Sequence, residues 1–157
     1  MRRNGPNSTK TLPMPALCDV NVLLALVTNR HAHHALTVHW LDSVAAGEAV
    51  ICRVAQTGLL RLLNNPAVMQ EEVLDTAACW ALWRRLLEDE RLRFTPAEPP
   101  GLDAAFERFT SGRANTPRLW TDAYLAAYAL AGRLTMVTFD RGFRSFPSLD
   151  LQVLQPA

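Results

Sequence analysis

The sequence has almost no net charge to offer. Sixteen Lys and Arg stand against fifteen Asp and Glu, leaving +1 over 157 residues, so no global basic field announces a nucleic-acid partner and any attraction for phosphate has to be local. Cysteine is scarce too. Cys18, Cys52 and Cys79 are odd in number, scattered and set in apolar segments, which excludes a disulfide framework and a Cys-x-x-Cys zinc site and reads as buried thiols in a reducing cytoplasm. No apolar run of membrane length is intact, because Asp19 and Asn21 break the stretch over residues 16–27. Arg2 and Arg3 ahead of that stretch imitate a secretory signal, but no small-residue cleavage site follows. There is also no internal repeat, low-complexity block or interdomain linker. Residues 1–14, rich in Asn, Pro, Ser and Thr, are expected to be a mobile leader. Residues 15–157 then make one domain, long enough to bury about two thirds of its unfolded surface.

What is present is an alternation. With 49% apolar and 20% charged residues the chain has the composition of a folded domain. Short apolar strands are expected near 16–19, 49–52, 91–95, 134–139 and 151–154, with helical spacing over 34–44, 54–63, from Asp75 through Ala78, Leu82 and Leu86, over 102–109, and over 121–132. Strands alternating with helices predict an α/β fold with a central parallel sheet of four to five strands flanked by helices. Residues 123–130 leave almost no polar face, so the helix that carries them is expected to be buried on most sides.

Three carboxylates fall at element ends. Asp19 follows the first strand, Asp140 follows the strand at 134–139, and Asp122 is expected to open the helix between them. Singly, each reads as a cap or a turn residue. Together they point to one site, because residues leaving the carboxyl ends of parallel strands share a crevice where strand order reverses, and a right-handed crossover returns Asp122 toward the same edge. Carboxylate oxygens are hard ligands that suit Mg²⁺ or Mn²⁺. Such an ion polarises a phosphoryl oxygen and activates bound water for in-line attack.

At these residues the chain resembles a family. Residues 18–25, Cys-Asp-Val-Asn-Val-Leu-Leu-Ala, resemble the opening motif of PIN-domain ribonucleases. Residues 120–127, Trp-Thr-Asp-Ala-Tyr-Leu-Ala-Ala, resemble their central helix, and residues 137–143, Val-Thr-Phe-Asp-Arg-Gly-Phe, their last motif. The single-domain size and the stretch over 51–63 are most similar to VapC-type toxins of bacterial toxin–antitoxin pairs. The resemblance implies a single PIN-like domain acting as a metal-dependent endoribonuclease, with Asp19, Asp122 and Asp140 as acids and Mg²⁺ or Mn²⁺ as cofactor. It also implies RNA as substrate, a cognate antitoxin, homodimers, and no membrane. One departure is that the family commonly carries a glutamate where this chain has Gln56, a neutral carbonyl in place of a charge.

Around the acids, Asn21, Gln56 and Thr138 are candidates to orient them. Arg113, Arg118, Arg141 and Arg144 are placed to hold phosphates at the rim, with Arg53 and Arg61 as weaker candidates. His31, His33, His34 and His39 read as a loop entering a helix, Trp80 and Trp83 as core or interface residues, Trp40 as a packer on a helix face, and Trp120 as a core residue in preference to a stacking platform for an RNA base. One of the helices at 34–44 and 54–63 is expected to keep an exposed apolar face for a partner's amphipathic helix. Two other classes compete. A catalytically silent PIN-like module that binds RNA or protein is favoured by Gln56 and opposed by the intact acids. A phospho-aspartate phosphatase is disfavoured because Asn21 stands where a second acid is needed.

Overall fold

A computed structural model describes residues 14–157. The leader expected over 1–14 lies outside the described residues apart from Met14. Five short strands, β1 (Ala16–Cys18), β2 (Ala49–Ile51), β3 (Leu92–Phe94), β4 (Thr135–Thr138) and β5 (Leu151–Val153), form one sheet in the order β3-β2-β1-β4-β5, with every pairing parallel. All five fall within the segments expected from apolar runs. β1 and β2 are wholly buried, as continuous apolar runs in a parallel sheet require.

Strand order reverses between β1 and β4, and there the ligand crevice of an open parallel sheet belongs. Cys18 pairs with Val137, so Asp19 and Thr138 leave the two strands side by side. The helices are α1 (Val20–Val27), α2 (His34–Asp42), α3 (Arg53–Leu63), α4 (Pro66–Met69), α5 (Thr76–Leu86), α6 (Leu102–Thr110) and α7 (Pro117–Ala131). Helix α1 was not among the expected elements. Its Val22, Leu23, Leu24 and Ala25 are all buried, and four consecutive apolar residues carry no helical period. The signal that marks it is Asp19, which caps it by accepting from the Val20 N–H at 2.7 Å.

Helix α7 corrects one expectation. It begins at Pro117, after Thr116, and not at residue 121, so Asp122 sits in the second turn and does not open the helix. Proline at the first helical position explains the earlier start, since its missing N–H has no partner to lose there. The near-absence of a polar face holds: Ala123, Leu125, Ala126, Ala127, Tyr128 and Ala129 are all buried. Among the described residues no helix is long and apolar enough to cross a membrane.

Cys18, Cys52 and Cys79 are buried free thiols, and burial pushes the Cys18 thiol up to about 12, which leaves it inert. Trp40 and Trp83 are core residues, Trp83 meeting Phe94 edge-on. Trp80 and Trp120 are not: they stand 47% and 61% exposed, so the packing expected of Trp120 is limited to an edge contact with Phe106. The expected apolar face on α2 or α3 reduces to Val38 among the described residues. The other exposed large apolar side chains beyond Met14 and Trp120 are Val68, Val73 and Trp80 around α4 and α5.

Candidate active site

Asp19 is the most constrained of the three acids. It is 6% exposed, with Oδ1 on the Val20 N–H and Oδ2 accepting from the Thr138 hydroxyl at 2.6 Å. Thr138 is itself fully buried and accepts the Asp140 N–H at 3.0 Å. One hydroxyl therefore ties the acid after β1 to the backbone of the acid after β4. Asp140 is fixed in turn by the Gly142 N–H, which donates to its Oδ1 at 2.7 Å. A Cβ on Gly142 would lie 2.9 Å from that oxygen, so any larger residue there would have to shift the Asp140 carboxylate.

Asp122 faces the same groove from α7. The groove encloses about 270 Å³ and is lined by Asp19, Asn21, Arg61, Asn65, Arg118 and Asp122, among others. Larger hollows of about 490 Å³ lie beside α2 and β5, and none of the three acids lines them. The electrostatics show that the acids sense one another. Burial, then the charges of Asp19 and Asp140, push the Asp122 carboxyl up to about 6 against the pull of Arg118. Burial also raises Asp19, with Asp140 adding to it and the Thr138 and Val20 hydrogen bonds opposing it. These are the shifts of hard anionic oxygens crowded into a partly dry site. Such a donor set fits a divalent cation, although among the described residues no three side chains are already closed on a common point.

The candidates around the acids divide. Thr138 is in direct contact, as described. Asn21 is exposed and lines the groove. Gln56 is buried, but its Oε1 accepts from Arg53 at 2.6 Å, and the guanidinium of Arg53 lies 4.7 Å from the Phe94 ring centre. The carbonyl that could have replaced a carboxylate is thus already engaged. Of the four arginines, Arg118 reaches Asp140 Oδ2 at 3.5 Å. Arg113 is committed elsewhere: it donates to the Ser145 hydroxyl and carbonyl at 2.8 and 2.7 Å and stacks on Phe146. Arg141 donates to Gln155, and Arg144 is exposed. His31 and His33 gather on Phe139, and His34 is bonded to the Ala25 carbonyl.

The sequence reading undervalued α3. Gly58, Arg61, Leu62 and Asn65 line the groove at spacings of three and four, one face of the helix and the residues just past its end. A Cβ on Gly58 would come within 2.7 Å of a Val20 methyl, so its absence lets α3 close on α1, and Arg61 lines the same groove as Asp19. An isolated glycine inside a helical pattern is a sign of such an approach.

A PIN domain model matches residues 16–149. Ribonuclease VapC41 of Mycobacterium tuberculosis is 39% identical over 142 residues, covering 88% of this chain and 97% of that protein. Ribonuclease VapC44 of the same organism is 30% identical over 128 residues, covering 82% and 87%. Among solved structures, VapBC2 from Rickettsia felis bound to a DNA fragment from the promoter aligns with a TM-score of 0.63 at 13% identity, over 89% of this chain and 98% of that one. VapC20 of Mycobacterium tuberculosis, a sarcin–ricin loop cleaving toxin, aligns with a TM-score of 0.60 at 16% identity, over 86% and 98%. These two likenesses speak for the fold alone.

Proposed function

This chain belongs to the PIN domain family and within it to the VapC type, and we propose that it is the toxin of a toxin–antitoxin pair, an endoribonuclease that hydrolyses RNA phosphodiester bonds with Mg²⁺ or Mn²⁺. The observation that carries the reading is the pair of acids at the strand-order reversal, Asp19 and Asp140, linked through Thr138 and faced by Asp122. Asp19, Asp122 and Asp140 would hold the ion, which when bound polarises the phosphoryl oxygen and lowers the pKa of attacking water. Thr138 and the Val20 N–H keep Asp19 in one orientation, and the Gly142 N–H does the same for Asp140. Arg61 and Asn65 on the α3 side and Arg118 on α7 supply donors for phosphate oxygens.

Two kinds of protein partner fit the exposed apolar side chains. A hollow of about 370 Å³, in which Leu24, Val68 and Met69 lie among polar residues that include Arg30, Glu71 and Glu72, offers an antitoxin segment a mixed apolar and charged seat. Trp80 on α5, 47% exposed, suits contact with a second copy, and Trp80→Glu is expected to sediment as a monomer if that face pairs. Unchanged sedimentation of a dimer would place the contact elsewhere.

The competing reading is a silent RNA- or protein-binding module, favoured by the engagement of Gln56 with Arg53. The antitoxin-free protein, incubated with total RNA with and without Mg²⁺ or Mn²⁺, separates the two. New RNA ends that require metal are expected; RNA that stays intact while bound would establish the silent module.

A further inference from the structure

Arg118 occupies a position that neither phosphate binding nor helix stability explains by itself. It lies one helical turn before Asp122 on the same face of α7, lines the groove with Asp19 and Asp122, and reaches Asp140 Oδ2 at 3.5 Å. One guanidinium thus faces all three acids. Its contact is loose: the side chain is 76% exposed, the Asp140 distance exceeds that of a good charge-assisted hydrogen bond, and among the described residues its close charged partner is that single carboxylate oxygen. Two other arginines are seated more firmly, Arg113 on Ser145 and Phe146 and Arg91 on Asp89 and Asp42.

We propose that Arg118 is the resident counter-ion of the metal-free acid groove, and that entry of a divalent cation displaces it onto an RNA phosphate, so that metal and RNA binding are coupled through this one side chain. The inference rests on the proposed function. A guanidinium and a divalent cation cannot both sit among three carboxylates without repulsion, so the ion drives the exposed side chain outward. Outside the acids, the nearest anion in a complex with RNA is a backbone phosphate, which the planar guanidinium fork matches. Conversely, phosphate that holds Arg118 away from the acids removes a competitor for the ion. By linkage the two effects are the same coupling free energy.

The test uses Mn²⁺ alone and a 2′-O-methyl RNA oligonucleotide, with calorimetry for the metal and fluorescence anisotropy for the oligonucleotide. Arg118→Ala is expected to bind Mn²⁺ about two- to fivefold more tightly than the wild type, the range of a loose exposed ion pair. In the wild type the oligonucleotide is expected to tighten Mn²⁺ binding, and in Arg118→Ala most of that coupling should vanish. Arg118→Lys should restore part of it. Arg141→Ala, which removes a charge beside Asp140 that is bonded to Gln155, should leave the coupling intact. Coupling that survives in Arg118→Ala, or that is lost equally in Arg141→Ala, overturns the inference while the metal site stands. Failure of Mn²⁺ to bind the wild type, or equal binding to Asp19→Asn, would instead overturn the proposed function.

Discussion

Two clusters of charge in this domain contrast sharply. Near the start of β3, Arg91 donates to Asp89 at 2.9 and 2.7 Å and to Asp42 at 3.0 Å, and its guanidinium holds the Asp89 carboxyl below the usual carboxylate range. At the carboxyl ends of β1 and β4, three acids share one loosely held arginine, and Asp122 is pushed up to about 6. The first cluster satisfies its charges and supports the fold. The second carries excess negative charge in a half-dry groove, an arrangement that costs stability and is a mark of sites built to take a cation. The difference lies in the ratio of acids to committed donors, not in the residue types.

The largest effect is expected from removing charge in the groove. Asp19→Asn, Asp122→Asn and Asp140→Asn should each lower metal-dependent RNA cleavage by about a hundredfold or more while the circular dichroism spectrum stays native. Wild-type cleavage in all three would dissolve the contrast between the clusters. Next comes Thr138→Val, which leaves every acid in place but removes the hydroxyl shared by Asp19 and Asp140. Loss of such an orienting contact should weaken Mn²⁺ binding by about 10- to 100-fold in calorimetry, and unchanged affinity would mean that the acids are held by the backbone alone. Arg91→Ala is a test of the other cluster. It should cost about 1 kcal/mol in urea unfolding at pH 7 without altering cleavage, and because Asp89 is held low, that cost should fade as pH falls below about 4. The smallest effect is expected from Gln56→Glu. With Arg53 2.6 Å away, the new carboxylate should pair with it and leave Mn²⁺ affinity unchanged, whereas Arg53→Ala combined with Gln56→Glu should tighten it. Tightening in the single variant would show that the position faces the acids directly.

Much of this is legible in the sequence. β1 and β2 are short apolar runs, β4 is apolar at its centre and the edge strands β3 and β5 alternate apolar with polar residues, and the placement of Asp19 and Asp140 at strand ends follows from parallel pairing and strand-order reversal. Two kinds of information are not. Helix α1 hides in an apolar run because burial on nearly all sides erases the helical period, and α7 starts ahead of its apolar stretch because Pro117 suits the first helical position, where no N–H is needed. The partners of arginines are the second gap. Arg113 and Arg118 look alike in sequence, yet one is fastened to a serine and a phenylalanine ring far along the chain and the other faces the acids. Such long-range pairing depends on where α6, α7 and the turn after β4 meet, which no local pattern encodes. The place of Arg61 on the groove is likewise non-local, since it depends on the close contact between Gly58 and Val20.

Without a cation the clustered carboxylates of the groove are expected to cost the fold stability, which thermal unfolding reads. A raised carboxyl binds its proton more tightly in the folded state, so Asp122 should destabilise the metal-free domain increasingly as pH rises from about 4 through about 6, with the full cost present above that window. In EDTA, the wild type is therefore expected to lose melting temperature between pH 5 and pH 7.5 relative to Asp122→Asn, and Mn²⁺ at pH 7.5 should restore it in the wild type but much less in the variant. Parallel pH profiles for the two proteins, with equal stabilisation by Mn²⁺, would contradict the account.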